Sequence, residues 1–373
     1  MKIVHIIPGI DSSGGAERLV VQLASEMAKT EDVTLLTYRT IPSTSTYRKE
    51  LSDKVKCLSL GKTKGFDMRV FFQLYKCLKR LNPEIVNAHL PASFLYLIFS
   101  ILLLPRIKFV FTIHNLPTHE ESRKWMVNIR KLLIRRKRLF VITLSAISGR
   151  EMETYYGLRS SAVIPNGIVP AKVTEQYDNV KNEIQQLKMN EHTRVFINIA
   201  RIDAIKNQSM LCEAVNRLQL KNHNVMLLIV GAPVDYISGS PLLKKIMDYP
   251  NVHFFGLKDN VGDYLACSDV FCLASLKEGL PLVVLEAMSL GLPIISTPVG
   301  GVPDVVQHNK NGYIAKDFSI ESFMAVVEAY LAAPEDEIVI LRNNNLNTFH
   351  AHYTITQTNK KYLSYYHSLI PIF

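Results

Sequence analysis

Two glutamates eight positions apart, Glu278 and Glu286, stand in the run Ser275-Leu276-Lys277-Glu278-Gly279-Leu280-Pro281-Leu282-Val283-Val284-Leu285-Glu286-Ala287, which follows a strand-like apolar segment and opens a helix. The free N–H groups at a helix start and the helix dipole both favour negative charge, so this junction suits a diphosphate. Gly279 permits close approach of the backbone to a ligand. Glu278, ahead of the helix, can accept hydrogen bonds from sugar hydroxyls, and Glu286, further along it, can hold a vicinal diol such as a ribose. A second run, Asn198-Ile199-Ala200-Arg201-Ile202-Asp203-Ala204-Ile205-Lys206-Asn207, follows another strand-like segment and makes Arg201 and Lys206 loop cations at a strand's carboxyl end. Two fixed cations there can offset the charge that builds on a departing diphosphate, a task that a divalent metal performs in other sites. A third run, Ser12-Ser13-Gly14-Gly15-Ala16-Glu17, makes a glycine turn between the first strand and the first helix without the full GxGxxG pattern. Alone, such a turn is as often a plain connection, and a lone Lys206 is usually a solvated cation.

Positioning these runs requires a frame of strands and helices. The 373 residues exceed what one hydrophobic core usually organises, so two α/β domains are expected. Apolar residues make up 48% and charged residues 20%, the composition of a folded chain and not of a disordered one. Hydrophobic periodicity predicts strands over 2–7, 33–38, 84–88, 108–113 and 139–144, with helices over 15–30, 68–81 and 148–156 between them. After a polar stretch, 171–193, that reads as the inter-domain linker, the alternation starts again, with strands over 195–200, 225–230, 252–255, 270–274 and 293–296 and helices over 208–218 and 281–290. Strand and helix alternation implies parallel sheets wound on both faces, giving two Rossmann-like doubly wound domains whose carboxyl ends face a cleft. The boundaries fall at 1–170 and 171–352, and the aromatic helix over 353–373 is expected to pack back on the first domain.

Lys and Arg number 43 against 33 Asp and Glu, a balance of +10 that favours anionic partners: nucleotide phosphates, anionic lipid or nucleic acid. No nucleic-acid recognition motif accompanies the charge, so that partner is not expected. The segment 123–138 carries Arg123, Lys124, Arg130, Lys131, Arg135, Arg136, Lys137 and Arg138 among Trp125, Met126, Val127, Ile129, Leu132, Leu133 and Ile134, and reads as one basic amphipathic helix. Such a helix either rests on anionic lipid or presents a solvated charged face. The apolar run 94–104 is far shorter than the roughly 20 residues that span a bilayer. Five cysteines without a CxxC pair or zinc spacing, and a start too short for a secretory leader, point to a reducing cytosol.

In this order and spacing the three runs resemble glycosyltransferase family 4, also called glycosyl transferases group 1, retaining enzymes of the GT-B fold that include bacterial polysaccharide, phosphatidylinositol mannoside and sucrose-phosphate enzymes. The match extends past the two glutamates to Ala287, Gly291, Pro293 and Gly300-Gly301. The resemblance implies that Arg201 and Lys206 grip the donor diphosphate, that Glu278 binds the donor sugar, and that Gly279 and Leu280 present backbone amides. It puts Glu286 on the nucleotide ribose, Gly15 against the donor phosphates, Leu257 near the nucleobase and His114 beside the transferred sugar. A satisfied core histidine is the plainer reading of His114, and His5 and His89, also near strand ends, rank below it. Asn115 stands where many relatives have Asp or Gly, and Ala200 and Asn207 where Gly is common, which leaves fold and reaction in place and blurs donor choice. Enzymes of this family need no DxD motif and no metal cofactor, and the leaving diphosphate helps deprotonate the acceptor on the same face, so Glu278 is a positioning group and not a covalent nucleophile. The implied partners are a nucleotide-sugar donor, with UDP favoured, a lipid-linked or glycan acceptor, and the inner face of the plasma membrane reached through the basic helix. A nucleotide-sugar epimerase of the same fold, which would convert the donor alone, and an inactive nucleotide-sugar-binding partner subunit are the competing readings.

Overall fold

Short runs of β-branched and aromatic residues build two parallel sheets. The first comprises β1 (Lys2–Ile7), β2 (Asp32–Thr37), β3 (Lys56–Ser59), β4 (Ile85–His89), β5 (Lys108–Thr112), β6 (Leu139–Thr143) and β7 (Ala162–Val163). Their order across the sheet is β3-β2-β1-β4-β5-β6-β7, and every neighbouring pair is parallel. The second comprises β8 (Arg194–Ile199), β9 (Val225–Val230), β10 (Val252–Gly256), β11 (Val270–Leu273), β12 (Ile294–Ser296) and β13 (Gly312–Ile314). Its order is β10-β9-β8-β11-β12-β13, again parallel throughout. Central strands such as β4 and β9 are buried along their whole length, as a sheet covered by helices on both faces requires. The chain thus has the two Rossmann-like units that the strand and helix alternation implies. This computed structural model describes residues 1–10, 14–63, 65–120, 123–232 and 248–370.

One compact unit is formed by Met1–Val169 together with the chain from Tyr353 onward, and the other by Pro170–His352. The return of the chain to the first unit has a local cause. Thr354 caps the final helix, Ile355–Leu369, by accepting from the Gln357 amide, and bridges in parallel to Ile168. Tyr362 and Tyr366 of that helix are fully buried. The Asn87 side-chain amide donates to the Tyr366 hydroxyl at 2.8 Å, while the Thr112 hydroxyl donates to Asn87 Oδ1 at 3.0 Å, so the helix is pinned to polar positions of β4 and β5.

Two sequence readings change. The stretch 171–193 is not wholly linker. Val180 and Ile184, four apart in a polar run, are the buried face of a helix, Tyr177–Leu187, and Thr174 ahead of it donates its backbone N–H and hydroxyl to the Asp263 carboxylate, both at 2.6 Å. The basic segment is not one helix over 123–138 either. Its helix is Lys124–Arg135, and Arg130 does not lie on a solvated face. The Arg130 guanidinium is buried between the rings of Phe94 and Phe111, 4.6 and 4.5 Å from their centroids, and donates to the Tyr156 hydroxyl at 3.2 Å. A planar cation against two aromatic faces keeps part of its stabilisation out of water. Arg138, beyond the helix, donates to the carbonyls of Ile101 and Pro105. The helices Ile320–Ala332 and Glu335–His352, for which the sequence pattern gives no expectation, complete the second unit after β13. Among the described residues no helix is long and apolar enough to cross a membrane.

The Asn87–Tyr366 contact predicts a stability effect. Tyr366→Phe leaves a buried amide donor of Asn87 unpaired and should lower unfolding free energy by about 1–3 kcal/mol. Urea denaturation checks this, and an unchanged midpoint would mean that the final helix is held by apolar packing alone.

Candidate functional site

In the second sheet the strand order reverses between β8 and β11, so their following loops leave in opposite directions and open a crevice at the carboxyl edge, the usual ligand position of such sheets. Both motif runs leave from this edge. The loop after β8 carries Arg201 and Lys206, and the loop after β11 carries Glu278 and Gly279. Lys206 Nζ donates to Glu278 Oε1 at 2.6 Å, with side-chain exposures of 19% and 10%. Hydrogen bonds between charged groups contribute roughly 1.5–3 kcal/mol when partly shielded in this way.

The surrounding backbone explains why these two side chains meet. Asp203 Oδ1 accepts from the amides of Ile205 and Lys206, at 2.9 and 3.0 Å, and so turns the chain into the helix Gln208–Leu220. The Leu276 amide donates to the Ile205 carbonyl at 2.8 Å, which ties the two loops together. A third loop, after β12, supports them from below: the Gly301 amide donates to the Gly279 carbonyl at 2.6 Å. Gly300 has φ +51°, and a Cβ placed there would lie 2.2 Å from the Glu278 carbonyl oxygen. The Glu278-Gly279 turn therefore rests directly on backbone, without an intervening side chain.

Arg201 is largely exposed and lies 3.7 Å from Asp203. Its backbone carbonyl accepts from Gln208 Nε2 at 2.8 Å, which fixes the loop backbone. Leu280 is buried just ahead of the helix Leu282–Ser289, and Glu286 is buried within that helix. Leu257 follows β10 and is 57% exposed. In the first unit Gly14 is the extended cap residue and Gly15 the first residue of the helix Gly15–Met27, whereas Ser12 and Ser13 of that run lie outside the described residues.

His114 lies just beyond β5 in the first unit and is 9% exposed. It is not alone. His89 Nδ1 is 3.0 Å from His114 Nε2, and His89 Nε2 is 3.0 Å from His5 Nδ1, making one hydrogen-bonded chain across β5, β4 and β1. At its inner end His5 Nε2 meets Met27 Sδ at 3.3 Å. Burial pushes His5 and His114 down to about 4. His89 is held well below the ordinary value by burial and then by its neighbours His114 and His5. All three rings are therefore neutral at physiological pH. The sequence reading ranked His5 and His89 below His114. Its missing signal was register: with β1 pairing β4 so that His5 faces Asn87, and β4 pairing β5 so that His89 faces Thr112, the three rings line up near the carboxyl edge.

Known proteins resemble this chain along most of its length. The profile for Glycosyltransferase Family 4 matches residues 13–172, and that for Glycosyl transferases group 1 matches residues 179–345. The N-acetyl-alpha-D-glucosaminyl L-malate synthase of Bacillus anthracis is 34% identical over 140 residues, and this match spans 36% of each chain. The UDP-Gal:alpha-D-GlcNAc-diphosphoundecaprenol alpha-1,3-galactosyltransferase of Escherichia coli is 26% identical over 75% of this chain and 73% of its own. The structure of Anabaena HepE in complex with UDP and glucose superimposes with a TM-score of 0.79 over 98% of both chains, at 17% identity, a likeness of fold.

The close backbone contact at Gly300 gives a test of the site's construction. Gly300→Ala adds a Cβ against the Glu278 and Gly279 carbonyls at a positive φ, a strain of roughly 1–3 kcal/mol. The expected outcome is a folded protein of lower melting temperature whose nucleoside diphosphate affinity falls. Calorimetric titration with UDP checks this; unaltered affinity in a destabilised variant would separate the glycine shelf from the site.

Proposed function

The chain belongs to glycosyltransferase family 4 and is a glycosyltransferase of glycan biosynthesis, and from that premise we propose that it moves a hexose from a UDP-sugar onto a lipid-linked or polysaccharide acceptor with retention of anomeric configuration. The observation that carries this reading is the Lys206–Glu278 pair at the strand-order reversal of the second unit. The donor diphosphate is more highly charged than one carboxylate, so it competes for Lys206 and releases Glu278 to accept hydrogen bonds from the sugar hydroxyls. Arg201, exposed in the same loop five residues before Lys206, is the second cation proposed for the phosphates. The amides of Gly279 and Leu280 face phosphate or sugar, Glu286 holds the ribose diol, and exposed Leu257 covers the base. In the first unit the family resemblance assigns a contact with the donor phosphates to Gly15 and one with a hydroxyl of the transferred sugar to His114.

In the reaction the bond from the anomeric carbon to the diphosphate oxygen breaks as the bond to the acceptor oxygen forms. The acceptor's proton passes to the leaving diphosphate on the same face, and UDP departs. Charge grows on the diphosphate in the transition state, and Lys206 with Arg201 offset it without a metal cofactor. The names of the relatives support UDP and a diphosphate-lipid acceptor: the Escherichia coli enzyme carries both in its description, and HepE was crystallised with UDP and glucose.

An anionic membrane surface is the proposed setting. Arg138, which follows the exposed basic run Arg135, Arg136 and Lys137, donates to the Ile101 and Pro105 carbonyls, and Leu102 and Leu103 between those two are exposed. Apolar side chains next to fixed cations suit the boundary of an anionic bilayer.

Two experiments test these readings. With EDTA present and a panel of UDP-glucose, UDP-galactose and UDP-N-acetylglucosamine, Lys206→Ala should lower turnover by roughly 2–4 kcal/mol in activation free energy, more than it lowers donor affinity. Glu278→Gln should impair sugar discrimination and turnover while UDP still binds. Loss of UDP binding in Glu278→Gln with full turnover in Lys206→Ala would overturn the assignment. Replacing Arg135, Arg136 and Lys137 together with Ser should weaken sedimentation with phosphatidylglycerol vesicles by about 1 kcal/mol per cation and leave turnover on soluble substrates near wild type. Equal vesicle binding by the variant would leave those residues as a solvated face.

A further inference from the structure

The chain Met27–His5–His89–His114 has two possible proton polarities. In one, His5 Nδ1–H donates to His89 Nε2 and His89 Nδ1–H to His114 Nε2, and His114 then carries its proton on the open nitrogen, Nδ1. In the other, every proton is reversed: His114 Nε2–H donates to His89 Nδ1, His89 Nε2–H to His5 Nδ1, and His5 Nε2–H to Met27 Sδ. Both arrangements satisfy the two contacts of 3.0 Å between the rings. They differ at the inner end, where His5 Nε2 sits 3.3 Å from Met27 Sδ in a fully buried position.

A thioether sulfur accepts and never donates. Under the first polarity a bare imidazole nitrogen faces sulfur lone pairs with no proton between them, leaving a buried acceptor unpaired. Under the second, that contact is a hydrogen bond. The outer end does not decide between them, because His114 is the least buried of the three rings and its open nitrogen can bond to solvent or ligand in either form. The burial of all three rings keeps them neutral, so each carries a single N–H and the polarity of one determines that of the next.

We propose that Met27, His5 and His89 are positioning residues that hold the proton of His114 on Nε2, so that His114 presents Nδ1 as a hydrogen-bond acceptor and selects a sugar hydroxyl that donates. This rests on the placement of His114 against the transferred sugar given above. The contact discriminates by polarity as well as position: a ligand group that can only accept, such as a ring oxygen or a methoxy group, meets a bare lone pair and is rejected. Removing any link of the chain frees His114 to carry its proton on Nδ1, although none of the three links touches the ligand.

The test reads the tautomer directly. In protein labelled with 15N-histidine, long-range proton–nitrogen correlation spectra at neutral pH should show His114, His89 and His5 all protonated on Nε2. Met27→Leu keeps side-chain volume and removes the sulfur acceptor. It should populate the Nδ1–H form of His114 and raise KM for the best-used UDP-hexose of the panel while changing kcat less. His89→Phe, which cuts the chain, should raise that KM about tenfold, the value of one hydrogen bond of ordinary strength. Wild-type His114 protonated on Nδ1 overturns the proposal whether or not either variant folds, and so does a Met27→Leu spectrum identical to wild type. An Nε2–H wild type that neither binds nor turns over any UDP-hexose overturns the sugar-hydroxyl assignment and the donor reading with it, while the proton polarity stands.

Discussion

Parallel strands oblige the chain to cross over a sheet face after every strand, and the direction of crossover must reverse once if both faces are to be covered. That reversal is the constraint on which the chemistry depends. At β8 and β11 the loops part and leave their ends accessible, and loops from those two neighbouring strands bring Lys206 within 2.6 Å of Glu278. The first sheet reverses in the same way between β1 and β4, and there the histidine chain crosses from β1 to β4 and on to the end of β5. Each unit therefore carries its polar cluster at the same topological position, though the residues that occupy it have nothing in common.

The two clusters solve the problem of buried polar groups by different physics. Lys206 and Glu278 cancel charge, an arrangement that a more highly charged ligand can displace because each partner keeps some contact with water. The histidines carry no charge to cancel. Burial holds them neutral, and their remaining polarity is directional, passed from ring to ring by single protons. The net charge of +10 is thus not located at the first unit's cluster. In the second unit's cluster Lys206 is offset by Glu278 and Arg201 lies near Asp203, and exposed cations gather elsewhere, as at the helix end from Arg135 to Lys137.

How much of this was legible in the sequence follows from the range of the forces involved. Strands buried on both faces leave contiguous apolar runs such as Val225–Val230, which any window detects. The two-residue strand β7 and the three-residue β13 contain too little periodicity to register, and exist because a neighbouring strand supplies their hydrogen bonds. Motif spacing singles out both Glu278 and Lys206, because it encodes which loops they occupy, and carries nothing of their pairing. Arg130 reads as part of a charged face because the segment around it is basic, whereas its neighbours in space, Phe94 and Phe111, come from a different helix and from β5. The helix Tyr177–Leu187 escaped for the opposite reason, as only Val180 and Ile184 carry its buried face.

The final helix shows how the same logic extends beyond the site. Asn87 occupies the position of β4 that pairs with His5 of β1, and its side chain is bonded to Thr112 of β5 and Tyr366 of the last helix. His89, two residues along β4, lies on the same side of the strand as Asn87 because side chains alternate with period two. A displacement of the final helix therefore acts on the strand that carries the middle ring of the histidine chain. Because that chain tolerates little change in its 3.0 Å spacings before hydrogen bonding weakens, the packing of Tyr366 and the orientation of His114 are linked through the rigid register of β4. The chain's return to its first unit thus helps set the geometry of the histidines as well as closing its core.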